Sequence, residues 1–562
     1  MEYKIKNLII EALKNLNIEE VDFTVEHPAD LKMGDYSTNV AMVLSKREKT
    51  NPKELAQKIV DQLSRLNLDS KINKIDVAGA GFINFYLAPE FFADSTKEIL
   101  NTKDNFGKVE SLKGKKVLVE HSSPNLFKPF HIGHMMNNTI GESMVQIMKF
   151  SGAEVKTMSF PSDISLGVAK AVFIILEKYG ADFTPNDIAV LGDAYVEGTK
   201  RFTDDESIHE RVKEIADNLY VGKGSPELKV YEVCKKFNIE YFESITKRLG
   251  SHFDSYIYES EAGIAGKEIV GKNTPAVFTE SEGAVVYIPD EAKKNLNTAV
   301  FINSQGNPTY EAKDLGLLKL KFERVNPNIS IFITDTEQIP HFNIVLDAAE
   351  KINPEWVKNS IHVPHGRMSY KGQKMSSRLG GVPLATEMID LVLGEVSERT
   401  KDRVADIREN AEAVAIGAIK FTILRTKPGQ NINFDPDTSL SFEGDSGPYL
   451  QYTHARIQSL IEKGSGLGMS PNYHAQDILD IEKMLYRFPE IVERAITEYA
   501  PQYIVTYVIE VAHGFNSFYG DNQIIDEKNK EVSEHRLAIA RATQIIIKNG
   551  LHLLGIQAPE RM

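Results

Sequence analysis

Most of the residues that could do chemistry lie in one stretch, Val119-Glu120-His121-Ser122-Ser123-Pro124-Asn125-Leu126-Phe127-Lys128-Pro129-Phe130-His131-Ile132-Gly133-His134. It follows a β-branched apolar run and precedes a helical pattern. A strand that feeds a helix through such a loop offers an anion backbone N–H groups, a helix N-terminus and two imidazoles. Preoriented donors of this kind stabilise the charge that builds on a phosphate as a nucleophile attacks and a leaving group departs. Each is worth roughly 100- to 1,000-fold by analogy with oxyanion donors, and no covalent nucleophile is needed. About 240 residues downstream comes a polar, basic, Gly-flanked loop, His365-Gly-Arg-Met-Ser-Tyr-Lys-Gly-Gln-Lys374-Met375-Ser376-Ser377-Arg378-Leu-Gly-Gly, which could close on the same anion.

Three other patterns compete for attention. His131 and His134, and likewise His362 and His365, have the spacing of a metal-binding pair, but neither pair has carboxylates or thiols at helical spacing beside it. Gly79-Ala-Gly81 resembles the start of a dinucleotide fingerprint, yet Asn84 stands at the third glycine and the segment enters a strand, so a tight turn is predicted. Gly266 to Lys272 resembles a phosphate-binding loop, but Asn273 replaces the hydroxyl residue and Pro275 breaks the expected helix.

These residues need a scaffold. At 562 residues the chain exceeds what a single core supports. The patterns predict an α+β domain over 1–110 and a Rossmann-like parallel-sheet α/β domain over 111–395, interrupted by a mostly helical insertion around 168–300. An all-α bundle follows over 396–562, where strand signals fade. In the central domain the strand at Val117, the helix bearing Ile140, Met144, Ile147 and Met148, and the strand Glu154-Val-Lys-Thr-Met-Ser-Phe form a βαβ unit. One cysteine, Cys234, excludes an intramolecular disulfide framework and thiolate-rich zinc sites. The net charge of −14 excludes an evenly basic coat for nucleic acid. From Ser441 onward, 11 Lys and Arg face 16 Asp and Glu, so any nucleic-acid recognition there must be local. Tyr449, Tyr452, Phe515, Phe518 and Tyr519 are candidate stacking surfaces, although aromatics at helical spacing more often belong to a core. No apolar run reaches membrane-span length, and a cytoplasmic location without a cleaved signal is expected.

The two loops together resemble the paired signatures of class I aminoacyl-tRNA synthetases, His131-Ile132-Gly133-His134 and Lys374-Met375-Ser376-Ser377-Arg378. A denser set is similar to the arginyl-tRNA synthetase family: Glu120 to Asn125, Tyr310-Glu-Ala-Lys-Asp314, Glu337-Gln338, Leu440 to Arg456, and Ala558-Pro-Glu-Arg-Met562. Gly34-Asp-Tyr-Ser-Thr-Asn39 and Gly81 to Asn84 resemble that family's extra N-terminal domain, which contacts the tRNA elbow.

The resemblance implies ATP-dependent activation of L-arginine and its transfer to the terminal adenosine of tRNA(Arg). Magnesium is expected on the triphosphate, no protein-bound zinc, no separate editing site, and a monomer. His131, His134 and Lys374 would be catalytic. ATP would meet His131, Gly133, His134, Lys374, Ser376 and Arg378, with Gly133 leaving room for the adenine and Arg378 as the candidate for a cation missing from the second signature. Tyr310 and Asp314 would hold the guanidinium with Glu120 close by, and Asn125 and Gln338 the α-amino end; forked donors call for such acidic and planar acceptors. Phe82, Asn84 and Tyr452 are candidate tRNA contacts. The chain departs from the family at Met135 to Asn138 and at Ser162 to Gly167. Two other readings compete with it, a catalytically idle tRNA-binding relative and a synthetase for another amino acid such as lysine.

Overall fold

The computed structural model describes residues 1–19, 21–221, 224–290, 292–293, 295–374, 383–399, 410–471, 478–526 and 528–562. They form two compact units. One comprises Met1–Phe106, Arg456–Pro489 and Val508–Asn549; the other comprises Gly107–Ala455, Glu490–Tyr507 and Gly550–Met562.

In the first unit, α1 (Glu2–Asn15) buries Ile5, Ile9, Ala12 and Leu13, one face at helical spacing. Next come β1 (Val25–Glu26), β2 (Tyr36–Thr38), α2 (Val40–Ser45), α3 (Pro52–Leu63), β3 (Ile72–Ala78), β4 (Phe82–Leu87) and α4 (Pro89–Thr102). The strands form an antiparallel sheet ordered β1-β2-β4-β3. Asn51 Oδ1 accepts the Lys53 N–H at 2.9 Å and Pro52 fills the first turn of α3, as its sequence predicts. Gly79 (φ 56°) and Gly81 (φ 121°) make the turn from β3 to β4, and a Cβ on Gly81 would lie 2.9 Å from Pro52. The dinucleotide-like glycines are therefore turn residues.

The second unit carries a five-stranded, all-parallel sheet. In chain order it contains β5 (Lys116–Glu120), α5 (Ile132–Phe150), β6 (Glu154–Ser159), α6 (Leu166–Tyr179), α7 (Ile188–Asp204), α8 (His209–Val221), α9 (Pro226–Arg248) and β7 (Ser255–Tyr256). It continues through α10 (Glu259–Lys272), β8 (Phe278–Ser281), β9 (Ala284–Tyr287), β10 (Ala299–Ile302), α11 (Tyr310–Arg324), β11 (Ile329–Asp335), α12 (Ile339–Ile352), α13 (Pro354–Lys358) and β12 (Ser360–His365). The sheet order is β12-β11-β5-β6-β7. Val117, Leu118 and Val119 are wholly buried, as expected of a central parallel strand covered on both faces.

Short strands occur inside the mostly helical insertion and, at β15, in the region where an all-α bundle was expected. Within 168–300, β7 joins the parallel sheet and β8, β9 and β10 form an antiparallel sheet. After β13 (Met368–Tyr370), β14 (Gln373–Lys374), α14 (Ala385–Arg399) and α15 (Ala411–Leu424), β15 (Ile432–Phe434) pairs in parallel with β13. These strands are two to four residues long, too short for an alternating pattern to stand out. The phosphate-loop-like glycine has a packing role. A Cβ on Gly266 would lie 1.8 Å from the Ala312 carbonyl oxygen, and one on Gly316 would lie 2.0 Å from that of Ala262. Together they let α10 and α11 touch backbone to backbone.

Residues 553–561 are tied to the second unit by their carbonyls. Ser143 Oγ donates to Leu553 at 2.9 Å, Lys420 Nζ to Gly555 at 2.7 Å, Gln451 Nε2 to Gln557 at 2.9 Å and Asn410 Nδ2 to Arg561 at 3.0 Å.

Candidate active site

Connections from β5 run to β6 and β7 on one side, whereas β11 and β12 lie on the other. Strand order therefore reverses between β5 and β11, and open α/β sheets bind ligands in the crevice outside the carboxyl ends at such a point. The loop after β5 carries the histidines, and the turn after β11 leads through Gln338 into α12.

His131 is the N-cap of α5. Its Nδ1 accepts the Gly133 N–H at 3.1 Å, and His134 Nδ1 accepts the His131 N–H at 3.3 Å. The rings stack with centroids 3.7 Å apart. Burial and the nearby Lys128 ammonium lower His131 to about 4; burial, then His131, Lys128 and His365, hold His134 well below the usual value. Both rings are thus neutral at physiological pH. With each Nδ1 used as an acceptor, the proton resides on Nε2, so both can donate to an anion. Gly133 has a reason beyond room for a ligand: a Cβ there would lie 2.9 Å from His131 Cε1.

The described residues on either side of the second signature are both paired. Before it, β14 pairs with β13, Ser369 opposite Lys374. After it, Pro383 O accepts the Ile132 N–H at 3.0 Å, the Ala385 N–H donates to Phe130 O at 2.9 Å, and Leu384 bridges to His131. The backbone leaving this loop is therefore stitched to the start of α5. The side chain of Lys374, and Ser376 and Arg378 altogether, lie outside the described residues.

The acidic set gathers around α11. Tyr310 opens this helix and is 62% exposed. One turn on, Asp314 Oδ2 meets His341 Nε2 of α12 at 2.5 Å, and Glu311 lies 3.7 Å from His341 Nδ1. Glu120, buried at the end of β5, forms an ion pair with the buried Lys321 of α11. Lys313 Nζ reaches Glu259 at 2.7 Å. Asn125 is exposed and bridges by backbone to Ser162; Gln338 is exposed at the start of α12.

The departures at 135–138 and 162–167 turn out to build the scaffold. Met135 and Met136 are buried. Asn137 Oδ1 accepts the N–H of Ser122, whose φ is +57°, at 2.7 Å, and its Nδ2 donates to Ile333 O at 2.5 Å, joining the ends of β5 and β11. Asp163 is wholly buried and accepts from Tyr231, Lys235 and Ser260. Asn84 does not fit a surface role: it is 3% exposed, and Ser37 Oγ donates to its Oδ1 at 2.7 Å inside the sheet. Phe82 and Tyr452 are half-buried, Tyr449, Phe515 and Phe518 are core, and Tyr519 lies under the Arg456 guanidinium at 4.3 Å. Sequence reasoning missed Lys128, Lys321 and His341. Only Lys128 left a signal, as a cation three residues before His131.

A Rossmann-like parallel sheet with the His131–His134 signature at its switch point, in a chain that also carries the second signature in its sequence, defines a class I aminoacyl-tRNA synthetase, a ligase. Residues 95–435 match the family described as tRNA synthetases class I (R), catalytic domain; residues 3–87 match the arginyl tRNA synthetase N terminal domain and residues 450–562 the DALR anticodon binding domain. The chain is 29% identical to the arginine–tRNA ligase of Treponema denticola, with 99% of each covered, and 30% identical to that of Methanococcus maripaludis, with 99% of this chain and 100% of that one covered. The Thermus thermophilus arginyl-tRNA synthetase structure superposes with a TM-score of 0.82 at 25% identity over the whole of both chains. The chain belongs to the arginyl-tRNA synthetase family.

Proposed function

We propose that the chain activates L-arginine with ATP at the switch point between β5 and β11 and transfers it to the terminal adenosine of tRNA(Arg). An oxygen of the arginine carboxylate attacks the α-phosphorus, the bond to the bridging oxygen breaks, and pyrophosphate leaves. A ribose hydroxyl of the tRNA then attacks the carbonyl carbon of the adenylate and AMP departs. His131 and His134 donate through Nε2 to the phosphates, the start of α5 adds its N–H groups and positive dipole end, and Lys128 and Lys374 add cations. Gly133, Ser376 and Arg378 complete the ATP set. Tyr310 and Asp314 receive the guanidinium with Glu120 close by; Asn125 and Gln338 take the α-amino end.

The observation that carries this reading is the neutral, doubly capped histidine pair at the switch point, stitched by backbone to the segment that leaves the Lys374 loop. Magnesium enters with ATP as part of the substrate. Among the described residues no group of three or more His, Cys, Asp or Glu gathers as metal ligands, and no helix is long and apolar enough to cross a membrane. We take residues 1–110 and 396–562 as the tRNA-binding parts flanking a catalytic domain over 111–395, with Phe82 and Tyr452 as contact candidates, and the working form as a cytoplasmic monomer. Competition in the aminoacylation assay tests the specificity. Analogues that keep a planar guanidine-like fork are expected to compete with arginine, and lysine to fail; equal competition by lysine would overturn the assignment.

A further inference from the structure

Each carboxylate around the arginine pocket already has a cation. Glu120 has Lys321, Glu259 has Lys313, and Asp314 and Glu311 share His341. Of these cations only His341 is an imidazole, the side chain whose ordinary charge change lies near neutral pH. The spacing also favours an active part for His341. Gln338 and His341 are three residues apart on the first turns of α12, and Tyr310 and Asp314 are four apart on α11, so each pair shares a helix face. The His341 and Asp314 side chains are 18% and 15% exposed, covered but within reach of a ligand. A guanidinium arriving at Asp314 would meet an imidazolium on the same carboxylate, and the two positive charges repel.

We propose that His341 is the resident cation of the arginine pocket: it positions Asp314 and Glu311 while the pocket is empty and releases its proton when a guanidinium takes its place at Asp314. The inference rests on the reading of Asp314 as the guanidinium acceptor. Imidazolium and guanidinium enter the exchange, and neutral imidazole, bound guanidinium and a proton taken up by buffer leave it. The pocket's net charge is unchanged. Facing His341 from α11 are Glu311 and Asp314; His362 of β12 packs on the neighbouring Phe342 and is held neutral by burial, at about 4. Burial alone would lower His341, but hydrogen bonds to Asp314 and then Glu311 raise it to about 9. It is therefore charged in the empty pocket. With Asp314 occupied by a guanidinium the larger of the two supports is gone, and burial together with the arriving positive charge drives the ring toward its neutral form.

Titration calorimetry of the full chain with arginine at about pH 7.5, in two buffers of different ionisation enthalpy, counts the protons. About one proton released per arginine is expected, with affinity rising about tenfold per pH unit between about pH 7 and 9 and levelling above. His341→Gln, which keeps a neutral donor to Asp314, is expected to bind arginine without proton release and with no slope against pH. Arginine binding by the wild type without proton exchange would overturn the proposal, as would undiminished release in the variant. The wild-type count stands on its own if the variant fails to fold. Binding of another amino acid in place of arginine is a different result, which would strike the functional reading and the inference with it.

Discussion

His134 Nδ1 accepts the backbone N–H of His131 at 3.3 Å, and the two rings stack at 3.7 Å. Each histidine thereby fixes its tautomer while capping the helix whose N-terminus it shares, so capping and anion binding use opposite edges of the same rings.

These two roles should separate by substitution. Asn is a good N-cap but has no Nε2–H in that position. His131→Asn is expected to keep stability within about 0.5 kcal/mol while adenylate formation falls roughly 100- to 1,000-fold. His131→Ala is expected to lose the same activity and about 1 kcal/mol of stability as well. Urea unfolding and pyrophosphate exchange on both variants check this; activity retained in His131→Asn would contradict it.

The pair Glu120–Lys321 is buried on both sides. Lys321→Met leaves a lone buried carboxylate and is expected to cost about 3–5 kcal/mol, most of it recovered by adding Glu120→Gln. Equilibrium unfolding of the single and double variants measures the recovery. Equal losses in both would mean that the lysine matters for packing alone.

Asp314→Asn removes the counter-charge of the guanidinium. The arginine KM is expected to rise about 30-fold or more, with the ATP KM changing by less than about threefold. Equal rises would undo the assignment.

Burial lowers His362 to about 4, and its Nε2 lies 2.8 Å from Thr334 Oγ1. The folded ring resists a proton that the unfolded chain accepts near pH 6.5, so its contribution is whole above about 6.5 and is lost as pH falls toward 4. Relative to His362→Gln, the wild type is expected to lose stability across that window, by less than the ~1.4 kcal/mol per pH unit of a full proton. Denaturant midpoints of the two proteins measured at several pH values give the difference; one independent of pH would contradict the reading.

Local features were legible in the sequence because they depend on neighbours: the cap at Asn51, the turn at Gly79 to Gly81, the strand at Val117, the helix that begins beyond His131. Where partners are far apart in the chain, the pattern was silent. Lys321 meets Glu120 across 201 residues and Asn137 meets Ile333 across 196, and nothing in either local sequence announces the pairing. Asn84, a candidate tRNA contact from the resemblance, is turned inward toward Ser37 by its strand. Asn273 and Pro275 already spoke against a phosphate loop at Gly266, but the packing against Ala312 that requires this glycine could not be read from the sequence. The histidine signature was legible as an anion site, but its doubly capped, Nε2-protonated form follows from ring geometry that spacing does not carry.

Pyrophosphate exchange into ATP with each of the twenty amino acids, run with and without a total tRNA pool, tests the function most directly. Exchange with arginine only, and only when tRNA is present, is the expected result. Exchange supported by a different amino acid, or by none, would contradict it.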